Sequence, residues 1–183
     1  MSSGTRWYKR LLRPIRPSII KRIRCRVRVM PLKIDLQLVM SDNSIPDRAK
    51  FQNWVDAAAD ACHCDNMALT IRVTDAAESA ELNARYRNKP EPTNVLSFPY
   101  EDPPGMETNV LGDLVVCAPV VQNEAVEQHK SSDAHWAHML VHGVLHLCGY
   151  DHTDQPGTDE MESLETSIIT ALGFPPPYNE QKL

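Results

Sequence analysis

The hydrophobic period of the chain changes repeatedly between residues 33 and 86, and each change predicts an element. Ile34, Leu36 and Leu38 alternate with Lys33, Asp35 and Gln37, the period-two signature of a half-buried strand. Ser41 to Pro46 read as a turn. Phe51, Trp54, Val55 and Ala58 then recur at helical spacing, which predicts a helix over about 46–61. Met67, Leu69, Ile71 and Val73 alternate again as a second strand. Asp75 and Glu78 stand at capping-box spacing and open a helix that runs through about Tyr86.

Asn88 to Thr93 hold two prolines and form a loop, after which Val95, Leu96 and Phe98 suggest a third strand. Pro103-Pro104-Gly105 breaks the chain, and Leu114 to Cys117, preceded by Gly112, form a fourth strand. Pro119 is suited to the first turn of a helix that reaches about His129. Ser132 or Asp133 caps the next helix, which runs to about Cys148 and ends at Gly149. Met161, Leu164, Ile168 and Leu172 share one face of a last helix over about 157–172, with Gly173 after it. Strands and helices are mixed along the chain. The expected fold class is α/β (α+β): a single domain with a small mixed sheet of about four strands packed by about five helices.

Composition narrows the class. With 183 residues, 42% hydrophobic and 23% charged, the chain can bury a full core without a disulfide or metal to hold it. No apolar run approaches the roughly 18–20 residues of a membrane span, so no stable membrane association is expected. The basic N-terminus has no apolar stretch behind it and is not a secretory signal. Its arginines resemble an organellar transit peptide, although Pro14 and Pro17 oppose a long amphipathic helix there. The five cysteines are an odd number without a secretory signal, which points to thiols in a reducing compartment. Cys62-His63-Cys64 lacks a second Cys/His pair at metal-site spacing and reads as a helix end.

Charge divides the chain in two. Residues 1–33 carry 11 of the 19 Lys and Arg and no acid, so the other 150 residues set 8 basic side chains against all 24 acids. The division predicts a basic extension over 1–32, disordered or lying upstream of a true start at Met30. An enzymatic domain is expected over 33–174 and an irregular tail over 175–183. Such an arm would steepen the salt dependence of any nucleic-acid binding. Within the acidic body, Arg85, Arg87 and Lys89 are the densest positive stretch. Arg87 is the candidate for fixing a phosphate, because a guanidinium binds two oxygens at once. Arg85 reads as a cation complementing a helix C-terminus.

Six of the seven histidines lie between 129 and 152. His142 and His146 stand four apart and share a helix face, so two imidazoles can meet at one point. Gly149 can take a positive φ and turn the chain back, letting His152 supply a third nitrogen. Three neutral imidazoles with one open position describe a catalytic Zn2+ site, on a helix and the turn after it, better than a structural one. The His142/His146 spacing is that of the zinc-protease H-E-x-x-H motif, but Gly143 stands where its glutamate base belongs. His138 lies about 12 Å along the axis from His146, too far to share an ion with both. It is expected to be a hydrogen-bonded buried histidine, or to contact substrate or a ligand. His135 reads the same way, more weakly.

Leu82-Asn83, Tyr86-Arg87-Asn88-Lys89, Pro92 through Pro99, Leu111-Gly112-Asp113-Leu114 and His138 through His152 together resemble the YbeY family of bacterial endoribonucleases and rRNA maturation factors, over about 34–174. The resemblance implies a small α/β fold and one zinc ion on His142, His146 and His152. It implies cleavage of single-stranded RNA, processing of ribosomal RNA precursors at the 3′ end of the small-subunit RNA, and ribosome quality control on the small subunit in the cytoplasm. It gives Arg87 the important arginine's place. His138, Asp113 and Asp151 stay open as the group that moves the proton, and Lys89 as a substrate contact. The competing readings are a zinc-stabilised ribosome assembly factor without catalysis and, less favoured because of Gly143, a zinc amide or peptide hydrolase.

Overall fold

The computed structural model describes residues 30–178 apart from 41, 43, 65 and 107, so residues 1–29 of the extension expected over 1–32 lie outside the described residues, while Leu32 is buried in the core with its N–H on Asp56 at 2.9 Å. The elements run in the order β1 (Lys33–Leu38), α1 (Arg48–Cys62), β2 (Ala68–Thr74), α2 (Ala76–Arg87), β3 (Val95–Pro99), β4 (Val110–Cys117), α3 (Ala118–Glu127), α4 (Ser132–Leu147) and α5 (Gln155–Ala171). Among the described residues the four strands form one sheet in the order β1-β2-β4-β3. β1, β2 and β4 run parallel, and β3 pairs antiparallel with β4 at the edge. With the five helices among the described residues, this is the expected small mixed sheet packed by helices.

Of the two central strands, β4 is apolar apart from Asp113, as a strand covered on both faces tends to be, whereas β2 alternates Leu69, Ile71 and Val73 with Thr70, Arg72 and Thr74. β4 begins at Val110, earlier than the expected Leu114. The pairing slips between Ala68 and Leu69, so that Leu111 is extra and Gly112 sits opposite Leu69. Gly112 has a φ of +148°, and a Cβ there would lie 2.4 Å from the Phe98 carbonyl oxygen. The glycine that looked like a strand boundary is thus inside the strand, where only a missing side chain lets β3 close on the bulge.

Helix starts are set by their caps. Asp47, Asp75, Ser131 and Asp154 each accept a backbone N–H at the opening of α1, α2, α4 and α5. Asp154 moves the start of α5 two residues ahead of the expected 157. The capping box at α2 is only half built. Asp75 accepts from the Glu78 N–H, but the Glu78 carboxylate turns to Arg72 and Thr74, each at 2.7 Å. A charge-assisted bond to a guanidinium outweighs one to a backbone amide. α1 ends at Cys62 with His63 in the left-handed conformation, so Cys62-His63-Cys64 is a helix end.

α4 is the central helix. It packs on β3, β4, α1, α3 and α5, and past its first turn every residue is buried except His142 and His146. Gly143 lets it lie close to the sheet, since a Cβ there would stand 2.8 Å from a Leu114 methyl. Phe51 of α1 meets Trp136 of α4 edge to face at 5.6 Å, tying the two helices together within the core. Among the described residues the tail after α5 has no regular element, yet Phe174 packs on Trp54 and Tyr178 reaches α4.

Candidate metal centre

The site forms where a buried helix reaches the surface. α4 ends in a Schellman motif: Cys148 is the cap, Gly149 takes a φ of +92°, the Tyr150 N–H bonds the Leu145 carbonyl and the Gly149 N–H that of His146, both at 3.0 Å. That turn swings the Tyr150 carbonyl back over the helix end, 3.0 Å from His146 Nδ1. His142 Nδ1 lies 2.8 Å from the Glu165 carboxylate on α5. A carbonyl and a carboxylate only accept, so each Nδ1 carries the proton and each Nε2 presents a lone pair. The two Nε2 atoms are 3.1 Å apart.

His152 completes the group. Each of the three histidines offers one nitrogen, and these lie within 4.8 Å of one another. The His152 ring stacks on His142 at 5.7 Å, and its backbone is tied to Asp151 and Thr158. Two nitrogens on one tetrahedral zinc at 2.0–2.1 Å lie about 3.3 Å apart, close to the separation found here. The donor set and its fixed tautomers therefore fit a zinc ion. A cavity of about 210 Å³ opens beside the histidines, with Glu162, Glu165, Thr158 and Tyr178 among its walls.

Glu165 is the most deeply buried of the site residues that sequence reasoning missed, with Glu162 and Tyr178 beside it. It lies one turn after Met161 on the apolar face of α5, where a carboxylate has no periodic signal, and it is fully buried. Besides His142 it receives His138 Nε2 at 3.1 Å and the Tyr178 hydroxyl. Burial alone would raise its pKa; the hydrogen bonds from His138, His142 and Tyr178 outweigh this and hold it at about 2. Burial keeps His138 below the ordinary histidine value in spite of Glu165, and burial together with the neighbouring His142 does the same to His146. His138 is thus a buried, hydrogen-bonded side chain behind the metal-capable group rather than part of the cavity wall.

The other expected residues stand apart from the histidines. Arg87 ends α2, exposed, and Lys89 is exposed two residues on. Among the described residues no hydrogen bond or ion pair joins either to the trihistidine group. Their loop is nevertheless held firmly. The Asn83 side chain of α2 donates to the Glu91 carbonyl at 2.7 Å, its backbone carbonyl accepts the Lys89 N–H at 3.3 Å, and the Ser79 hydroxyl donates to the Thr93 carbonyl and accepts its N–H. Asn94 then bonds Glu124 of α3, which bonds His135 of α4 at 2.8 Å, so His135 braces the basic loop against the site helix. Arg85 lies over the Tyr86 ring at 5.4 Å. Asp113 and Asp151 are exposed, on β4 and in the turn, while Glu162 is the partly exposed carboxylate that shares the cavity with His142 and His152.

Position 143 bears on the protease alternative. A glutamate there would be driven into Leu114 of the sheet, so the usual base of the H-E-x-x-H motif has no room.

A trihistidine group on a helix and its terminal turn, set in a small mixed α/β domain, defines a metal-capable α/β protein. Its fold is similar to the solution structure of TM1509 from Thermotoga maritima, with a TM-score of 0.52 and 22% identity over 83% of this chain and 99% of that one. The family model described as Endoribonuclease YbeY matches residues 38–173, and the chain belongs to that family. It is accordingly a nuclease of a family that acts on RNA in ribosome maturation. Among the described residues no helix is long and apolar enough to cross a membrane.

Proposed function

We propose that this protein is a zinc-dependent endoribonuclease that cuts single-stranded RNA in ribosomal RNA precursors, at the 3′ end of the small-subunit RNA, and serves ribosome quality control in the cytoplasm. The observation that carries the reading is the fixed tautomer pair. His142 and His146 each spend Nδ1 on a rigid acceptor and turn Nε2 to one point beside an open cavity.

His142, His146 and His152 would hold the ion, which supplies Lewis acidity toward a phosphodiester and its nucleophile. Arg87 would grip the scissile phosphate bidentately and neutralise the charge that grows in the transition state. The braced loop supports this role, because an arginine on a fixed backbone loses less freedom on binding. Lys89 adds a second cation on the same loop. Glu162, as the carboxylate in the cavity wall, is better situated to take a proton than Asp113, Asp151 or the buried His138.

The test combines metal analysis of the purified protein with cleavage of a defined ribosomal precursor. Wild type should carry one zinc, and His142→Ala should lose both metal and cleavage. Arg87→Ala should keep the metal and lose roughly 10²–10³-fold in rate, the usual cost of removing one transition-state donor. Full cleavage by His146→Ala under complete chelation would end this reading. Wild type that binds pre-ribosomes tightly and cuts nothing would replace it with the assembly-factor role.

A further inference from the structure

The ends of α1 and α4 bring three cysteines together. Cys64 Sγ lies 3.1 Å from Cys148 Sγ although the two residues are 84 apart in sequence. Cys62 also hydrogen-bonds Cys148. Cys64 and Cys148 are both half-buried against the core.

We infer that Cys64 and Cys148 form an oxidisable pair that closes to a disulfide and staples the end of α1 to the end of α4. Each backbone is already clamped. The Cys64 N–H bonds the Ala59 carbonyl at 3.0 Å past the left-handed His63, and the Cys148 N–H bonds that of Val144 at 3.0 Å. The sulfurs must close by only about 1 Å to reach bonding distance near 2.05 Å. That is within a small rotation of the two side chains.

The chemistry needs a two-electron oxidant, and a peroxide is the class proposed. One thiol sulfur attacks the O–O bond, becomes a sulfenic acid, and one water leaves. The second sulfur displaces the sulfenic hydroxyl as a second water. Two S–H bonds and one O–O bond are exchanged for one S–S bond and two new O–H bonds; the sulfurs are oxidised and the peroxide oxygens reduced.

The staple would sit at the base of the turn that presents the Tyr150 carbonyl to His146 and carries His152 onward. Among the described residues no sulfur bonds a ligand histidine, so the expected consequence is a more stable fold with the metal-capable group undisturbed. The pair is independent of the reading of the site as a zinc ribonuclease, and its failure would leave that reading untouched.

The experiment treats the full-length reduced protein with stoichiometric hydrogen peroxide. Intact mass should fall by two hydrogens, and peptide mapping should join Cys64 to Cys148. The thermal midpoint should rise by roughly 5–10 °C and return on addition of dithiothreitol, because the bridge closes a long loop. Cys148→Ser should show no mass loss and no shift, and Cys62→Ser should show both. No mass loss in wild type, or a bridge between Cys62 and either partner as the main product, would overturn the assignment. So would a second equivalent of zinc that disappears in Cys148→Ser, which would make the cluster a thiolate metal site.

Discussion

Replacing Glu165 with glutamine preserves size, removes one charge and one acceptor oxygen, and leaves three donors competing for a single carbonyl. The native carboxylate takes His142 Nδ1 on one oxygen at 2.8 Å, and His138 Nε2 at 3.1 Å and the Tyr178 hydroxyl on the other. An amide has one oxygen. If it serves His142, the NH2 group faces His138 and Tyr178, and donors meet donors. If it serves those two, the NH2 confronts His142 and the Nδ1–H tautomer is lost. Hydrogen bonds to a charged group contribute about 1.5–3 kcal/mol each, so Glu165→Gln should cost roughly 2–4 kcal/mol of stability in chelated protein. Loss of the group that orients a metal-binding histidine typically weakens metal binding 10–100-fold. Urea unfolding with chelator present gives the first quantity; competition with a chromophoric zinc chelator gives the second. Tyr178→Phe is the control: it removes one donor on the far oxygen and should cost about 1.5–3 kcal/mol of stability with zinc affinity kept. Zinc affinity of Glu165→Gln within threefold of wild type would refute the claim that Glu165 positions His142.

Further expectations concern the bulge, the interior glycine and the brace. Gly112→Ala sets a Cβ against backbone that cannot yield, the Phe98 oxygen at 2.4 Å, and should destabilise by more than about 2 kcal/mol in denaturant titration. Gly143→Ala meets only the flexible end of Leu114 at 2.8 Å and should cost about 1 kcal/mol, part of it recovered from helix propensity. For Glu124, burial pushes the carboxyl up, and hydrogen bonds from His135 and Asn94 outweigh it and hold it below the ordinary range. A depressed folded-state pKa gives stability that is present above the ordinary value of 4.5 and lost as pH falls through the folded value. Glu124→Gln should therefore lose less stability than wild type on going from about pH 5 to pH 3, measured by urea titration at each pH. Equal losses would show that the brace does not depend on its charge.

Much of the molecule was legible as pattern. Period-two runs became β1 and β2, helical spacing became α1 and α5, and Gly149 ended α4 with its positive φ. These are local matters, settled by which side chains can share a face and which residue tolerates a left-handed turn. The His142/His146 pair was legible for the same reason. Where the pattern misled, a neighbour from elsewhere in the chain had intervened. Gly112 looked like a strand boundary because the Phe98 carbonyl that requires it lies on another strand, and Glu78 looked like half of a capping box until Arg72 claimed it.

The sequence by itself determined the elements, the helix that bears two histidines, and the residues able to act on a metal and a phosphate. Tertiary structure alone decided that Glu165 fixes the tautomer of His142, that His138 stands behind the site instead of in it, and that Cys64 meets Cys148. The physical reason is range. Backbone propensity and side-chain periodicity act over a few residues, whereas a buried carboxylate 23 positions from its histidine has no local signature. Only the packing of α5 on α4 turns it into the acceptor that directs His142 Nε2 toward its neighbours.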